Sequence, residues 1–292
     1  MPTYRFKQVD VFTDRPLFGN PVAVVLGADG ISDEQMQRLA AWTNLSETTF
    51  VLTPTTPEAD YRLRIFYPRG ELPFAGHPTV GSAHAVLEAG VVSPADGRFV
   101  QECGAGLLPM RAAGEGSERR IHVEAPVATI GDDCSGWLER ICEALGAEVS
   151  SSPPPVPLTN GPTWMFCHVA DADAVTALQP DMTALADISR DLGQTGFAVF
   201  GLPEGRDHAV VIRCFAPGGG VPEDPVTGSA NAALPAYLAH AGWLDRVGRE
   251  YVSSQGTAIG REGRVHVRVL DDAGRAEIGG RAVTVVDGEI RL

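Results

Sequence analysis

No stretch of this chain is apolar for long enough to cross a membrane. Its longest runs, such as Val22 to Leu26, fall far short of the roughly 20 residues that a spanning helix needs. Met1-Pro2-Thr3-Tyr4-Arg5-Phe6-Lys7 has no apolar core of the kind a secretory signal carries, so no leader is expected. Basic residues are scarce: 23 Lys+Arg face 37 Asp+Glu, for a net charge of −14. A duplex binder needs a basic face, so nucleic acid is excluded as a partner. An anionic ligand would have to be met by local dipoles or a few arginines rather than by overall charge. Cysteine is sparse too. The five residues (Cys103, Cys134, Cys142, Cys167, Cys214) are odd in number and include no C-x-x-C pair, which argues against a disulfide framework and a zinc site. They read as reduced, buried thiols of a cytoplasmic protein. Neither G-x-G-x-x-G nor G-x-x-x-x-G-K-[ST] occurs, so no nucleotide cofactor is expected.

What is present is a globular composition, 44% hydrophobic and 21% charged over 292 residues, enough for two ordinary domains or one large one. It is also internally repeated. A shift of 147 positions carries Pro78, Gly81, Ser82, Ala83, Ala85, Leu87 and Ala89 onto Pro225, Gly228, Ser229, Ala230, Ala232, Leu234 and Ala236. It also carries Leu45, Thr48 and Phe50 onto Leu192, Thr195 and Phe197. Just upstream of the helices a shift of 149 aligns Arg64, Phe66, Pro68, Gly70 and Pro73 with Arg213, Phe215, Pro217, Gly219 and Pro222. Small residues coincide by chance, but an ordered series over two stretches indicates duplication.

Each half follows one order of elements. In the first, strand 22–26 precedes a helix from about Asp33 to Trp42, whose start has a capping box (Ser32 with Gln35) and a staple of Ile31 on Met36. Strands 48–52 and 61–67 follow, the latter alternating Tyr61, Leu63, Ile65, Tyr67 with Arg62, Arg64, Phe66. A Pro/Gly-rich loop opens into helix 79–89, closed by Gly90. The second half repeats this as strand 164–169, helix 182–192, strands 196–200 and 209–215, and helix 226–240, with Pro235 expected to kink or disturb the last. Further strands are expected at Arg120–Glu124 and Arg264–Leu270, and a hairpin about Asp287-Gly288. A helical pattern covers 135–146. The division falls at 1–125 and 126–292, with linker-like composition (Ser150 to Pro155) near 148–158 and a final strand, 285–292, that can return to the first half. The class is α+β: two pseudo-symmetric domains, each a curved sheet around a small-residue helix, facing one another across one cleft.

Two loop-to-helix junctions carry chemistry. In Phe74-Ala75-Gly76-His77-Pro78-Thr79 and Glu223-Asp224-Pro225-Val226-Thr227-Gly228-Ser229-Ala230, proline takes what should be the first helical position, preceded by His77 in one half and Asp224 in the other. Helix N-termini offer unpaired N–H groups and partial positive charge, so two such ends suit a carboxylate. Asp before Pro is also a common cap, and a lone histidine is often structural. The matched exchange of His for Asp, with a Gly-rich approach in both halves, favours function. Glu47, where a helix gives way to a strand, has Gln194 as its repeat mate: an acid in one half, its neutral isostere in the other.

Gly19-Asn20-Pro21, Ser46-Glu47-Thr48, Phe74-Ala75-Gly76-His77-Pro78-Thr79 and Glu223-Asp224-Pro225-Val226-Thr227-Gly228-Ser229-Ala230-Asn231 together resemble the phenazine-biosynthesis PhzF family, over nearly the whole chain. The resemblance implies the diaminopimelate epimerase-like fold and an isomerase that shifts a proton on a small carboxylate or amino-acid-like substrate. It implies Glu47 as acid/base, His77 and Asp224 holding and polarising the substrate, and contacts from Gly76, Gly228 and Ser229. The chain departs from the family at Tyr67, where many members have a smaller residue. Two-thiol racemisation, used elsewhere on this fold, is disfavoured because neither junction holds a cysteine. The expectation is a cofactor-independent, single-base enzyme with no metal, no nucleic-acid or membrane partner, and a homodimeric assembly. An epimerase, a metal-dependent hydrolase using His77 and Asp224, or a silent binding protein are the other readings. No third metal ligand accompanies His77 and Asp224 in sequence.

Overall fold

A computed structural model describes residues 1–292. The chain divides into two compact units, Met1–Glu124 with Gly279–Leu292, and Ala125–Ile278. The first contains β1 (Thr3–Val11), β2 (Asn20–Leu26), α1 (Asp33–Thr43), β3 (Thr48–Leu52), β4 (Tyr61–Tyr67), β5 (Gly70–Leu72), α2 (Gly76–Glu88), β6 (Arg98–Cys103), β7 (Gly106–Ala113) and β8 (Arg120–Glu124). The second contains β9 (Thr129–Ile130), α3 (Leu138–Leu145), β10 (Val156–Thr159), β11 (Thr163–His168), α4 (Ala172–Ala177), α5 (Met182–Asp191), β12 (Gly196–Gly201), β13 (Val210–Ala216), β14 (Val221–Asp224), α6 (Gly228–His240), α7 (Leu244–Val247), β15 (Glu250–Gln255) and β16 (Gly263–Val269). β17 (Ala276–Gly280) and β18 (Ala282–Arg291) complete the chain.

Within the first unit, β18 and β2 flank β1 as antiparallel neighbours, and β2 runs parallel to β3 because α1 makes the crossover. β3 pairs antiparallel with β4, and α2 makes a second crossover from β4 to a parallel β6. The second unit repeats these steps. β10 and β11 are antiparallel, β11 and β12 parallel across α4 and α5, β12 and β13 antiparallel, and β13 and β15 parallel across α6.

In the first unit the sheet wraps α2, which packs against β1, β2, β3, β4, β8 and β18. A helix enclosed on all sides needs small or apolar residues all round, and Val80, Gly81, Ser82, Ala83, Ala85 and Val86 are all buried. Gly81 is obligatory: a Cβ there would sit 2.4 Å from Val22 Cγ1 and 2.7 Å from Val11 Cγ2. The α1 start is as the sequence indicates. Ser32 accepts from the Gln35 N–H, Gln35 returns a bond to the Ser32 N–H, and Ile31 and Met36 share one apolar cluster.

Four elements differ from the sequence expectation. α2 starts at Gly76, so Pro78 is its third residue and His77 lies inside the first turn. Proline is tolerated there because the first-turn N–H groups have no intrahelical acceptor. α6 starts only at Gly228, leaving Pro225 and Val226 outside and Asp224 at the end of β14, so Asp224 is not its cap. α6 ends at His240, with Pro235 inside the helix, as the sequence indicates. There is no hairpin at Asp287-Gly288. β18 runs straight through it, because β1 offers a partner along the whole length and Lys7, opposite Asp287, binds its carboxylate at 2.7 Å. The Ser/Pro-rich stretch lies inside the second unit, where Ser150 N–H donates to the His168 carbonyl and the Pro155 carbonyl accepts from Cys134 N–H.

Candidate active site

Glu47 lies in the short connection between α1 and β3. Asn44 ends α1 in the left-handed conformation (φ 54°), which asparagine tolerates, and turns the chain. Two contacts then hold the connection: Thr43 and Thr48 hydroxyls meet at 2.7 Å, and the Glu47 carbonyl accepts from Ala23 N–H of β2. The Glu47 side chain is thus 15% exposed, with Oε2 at 3.2 Å from Nε2 of His77.

His77, on the first turn of α2, is almost wholly buried, and desolvation drives its pKa down to about 3 against a weaker pull from the Pro21 carbonyl. It is a neutral imidazole at physiological pH, not a cation beside Glu47. Its other nitrogen, Nδ1, lies 3.4 Å from Asn20 Nδ2. Nδ1 thus faces the Asn20 amide and Nε2 faces the Glu47 carboxylate, close in distance but not in hydrogen-bond geometry. Gly76 precedes His77 as the first residue of α2, where its N–H has no intrahelical acceptor.

The other candidates form a second group, within the second unit. Asp224 Oδ2 accepts from the Thr227 hydroxyl at 2.6 Å. Gly228 and Ser229 open α6. Ser229 Oγ accepts from Trp164 Nε1 at 2.9 Å, so its own hydrogen remains available to donate, and its carbonyl is held by Asn160 Nδ2 at 2.8 Å. Cys214, paired with Asp224 across β13 and β14, is fully buried, and desolvation pushes its thiol far above the range of a reactive cysteine.

Sequence reasoning missed Asn20, Trp164, Thr227 and Gln255. Asn20 carried a signal, a polar residue opening an apolar strand directly before proline. Thr227 stood inside the quoted motif. Gln255 carried none, being 28 residues beyond the loop it binds.

A curved sheet about a buried helix, with Glu47 set against His77 of that helix's first turn, is an α+β fold of the diaminopimelate epimerase-like class. The chain belongs to the PhzC-PhzF family of phenazine biosynthesis-like proteins, whose model matches residues 9–288. It is 36% identical to the trans-2,3-dihydro-3-hydroxyanthranilate isomerase of Pseudomonas aeruginosa, over 99% of this chain and 100% of that one. It is 38% identical to antisense-enhancing sequence 1 of Schizosaccharomyces pombe, over 99% of both. The crystal structure of the Bacillus anthracis phenazine biosynthesis protein of the PhzF family superposes with a TM-score of 0.86, at 28% identity and covering 100% of each chain. The protein is thus an enzyme of an isomerase family, whose relatives act on small substrates. No helix is long and apolar enough to cross a membrane.

Proposed function

We propose that the protein is a cofactor-independent isomerase that moves a proton between carbons of a small amino-acid-like carboxylate, with Glu47 as its single acid/base. The observation that carries this reading is the enclosed Glu47–His77 contact. A carboxyl group shielded from water, touching a neutral hydrogen-bonding ring, can release and recover one proton in place. The Glu47 carboxylate takes a proton from a carbon whose electron pair then delocalises through the adjoining unsaturation toward the substrate's carboxyl group. The protonated Glu47 returns it to another carbon of the same system, so atoms and electrons balance without a redox partner. His77 holds Glu47 and polarises the substrate as a neutral donor. Gly76, Asp224, Gly228 and Ser229 supply substrate contacts, through helix-terminal N–H groups for the anion, the Ser229 hydroxyl as donor and the Asp224 carboxylate as acceptor. Relatives named for trans-2,3-dihydro-3-hydroxyanthranilate point to a cyclic amino acid as the substrate class.

The test is turnover in D₂O of that compound and a panel of small cyclic amino acids. A single-base route moves the proton within one molecule, so product gains less than one deuterium at the new position when transfer outpaces exchange. Complete deuteration there, together with full activity in Glu47→Gln, would sink the mechanism. An inert wild-type protein across the panel would sink the substrate class.

A further inference from the structure

Gln255, the last residue of β15, is 1% exposed, yet its whole amide is engaged. Its Oε1 accepts from the Thr227 N–H at 2.9 Å and from Asn231 Nδ2 at 3.1 Å. Its Nε2 donates to the Asp224 carbonyl at 3.0 Å and to Thr227 Oγ1 at 2.8 Å. A backbone N–H at one end and a backbone carbonyl at the other fix which end is oxygen. Thr227 Oγ1 therefore receives a hydrogen from Gln255, and its own single proton goes to Asp224 Oδ2. The series Gln255 Nε2–H to Thr227 Oγ1–H to Asp224 Oδ2 has one direction. Thr227 occupies the cap position of α6, where threonine ordinarily binds a helix N–H, but its side chain caps nothing. The hydroxyl is committed to Asp224 instead.

The first unit repeats the device in part. Gln101, on β6, is wholly buried, and its Nε2 donates to Thr79 Oγ1 of α2 at 3.2 Å. Each glutamine lies on the strand after the enclosed helix, parallel to the strand before it: Tyr61 pairs with Gln101, and Ile212 with Gln255. In the first unit the oxygen end receives the Tyr61 hydroxyl at 2.8 Å. In the second it receives the backbone at the start of the helix, and the series runs on to a carboxylate.

We propose that Gln255 is a positioning residue which, through Thr227, holds the Asp224 side chain in one rotamer as an acceptor toward the substrate. This rests on the substrate-binding role proposed for Asp224. A glutamine that merely filled the core would leave Asp224 indifferent to the Thr227 hydroxyl.

Thr227→Val keeps the shape and removes the hydroxyl, Thr227→Ser keeps the hydroxyl, and Gln255→Met keeps the length without hydrogen bonds. Crystal structures of the three variants should show Asp224 displaced from its rotamer in Thr227→Val and Gln255→Met and retained in Thr227→Ser. With trans-2,3-dihydro-3-hydroxyanthranilate as probe, the first two should raise KM by up to about 100-fold, the scale of a 1 Å misplacement, with a smaller fall in kcat. Thr227→Ser should stay near wild type. In an Asp224→Asn background, Gln255→Met should add little, because both act on one interaction. Should Gln255→Met fail to fold, Thr227→Val alone decides. An unmoved Asp224 in Thr227→Val overturns the proposal, as does a fall in kcat at unchanged KM. A wild-type protein inert toward the probe would count against the proposed function, and the rotamer comparison would still judge the role of Gln255.

Discussion

The two units share one sequence of strands and crossovers but differ in where the enclosed helix begins. Carried forward by 147, Gly76 falls on Glu223 (76 + 147), whereas α6 starts at Gly228, five residues later. In the first unit those residues are helical and carry His77 into the interior beside Glu47. In the second they form the end of β14 and a loop, and Asp224 is bound by Thr227. Gln194 stands where the repeat places Glu47. On the function proposed above, a shift in one helix start within a repeated scaffold separates the unit that moves the proton from the unit that holds the substrate.

The largest effect should come from attacking that asymmetry directly. Glu47→Gln preserves shape and removes the titratable group, so turnover should fall by roughly 10²–10⁴-fold, the usual contribution of general acid–base catalysis. Gln194→Glu, the mirror change, should add no turnover and should not rescue Glu47→Gln. Steady-state kinetics of both single variants and the double variant decide this. Activity restored in the double variant would mean that the units are interchangeable and the assignment is wrong.

A second comparison is structural. In both units an arginine grips a glutamate through Nε and Nη2 while lying over the phenylalanine two residues on: Arg64 with Glu71 and Phe66, Arg213 with Glu223 and Phe215. The remaining nitrogen, Nη1, reaches Asp33 at the start of α1 in one unit, and the carbonyls of Val175 and Leu178 in the other. The difference is water. Side-chain exposure is 17% and 41% for the first pair, 7% and 7% for the second. Arg213→Met would strand a buried carboxylate and should cost about 3–5 kcal/mol. Arg64→Met leaves Glu71 able to rehydrate and should cost about 1 kcal/mol or less. Urea unfolding of the two variants measures the gap, and equal losses would show that burial does not set it.

Locally encoded features were legible from sequence. The Ser32/Gln35 box, the bounds of β3 and β4, and the acid in the turn after α1 all follow from spacing within a few residues. The starts of α2 and α6 were not, because distant groups decide them. The N–H of Thr227 is satisfied by Gln255, and Pro78 is accommodated in a first turn enclosed by the sheet. The Asp287-Gly288 pair reads as a turn in isolation, yet Lys7 and the facing edge of β1 keep it extended. The neutrality of His77 was equally invisible, since it comes from burial rather than from its neighbours in sequence.

The smallest predicted effect is a response to acid, and it too separates the units. Each holds a histidine whose pKa desolvation drives far down, His77 to about 3 and His168 to about 4, the latter lowered further by the Arg246 charge. In the unfolded chain both return to about 6.5, so below that pH the unfolded state binds more protons than the native state, and stability falls as pH falls. Above pH 6.5 the contribution is complete. For His77 it declines from 6.5 down to about 3, where the folded ring also takes up its proton. Between pH 6.5 and 5 the fully enclosed His77 should account for a loss of about 1.5 kcal/mol, from the difference in proton uptake. His168 is less enclosed, so solvent screens its effect and its share should be smaller. His77→Gln and His168→Phe each remove one titrating ring, the second replacing it with an aromatic that can still pack against Phe200 and Trp243. Urea unfolding at pH 6.5 and pH 5 should therefore show a flatter pH dependence in both variants, and flatter in His77→Gln. A slope unchanged in His77→Gln would mean that the ring is protonated in the folded protein and that Glu47 faces a cation.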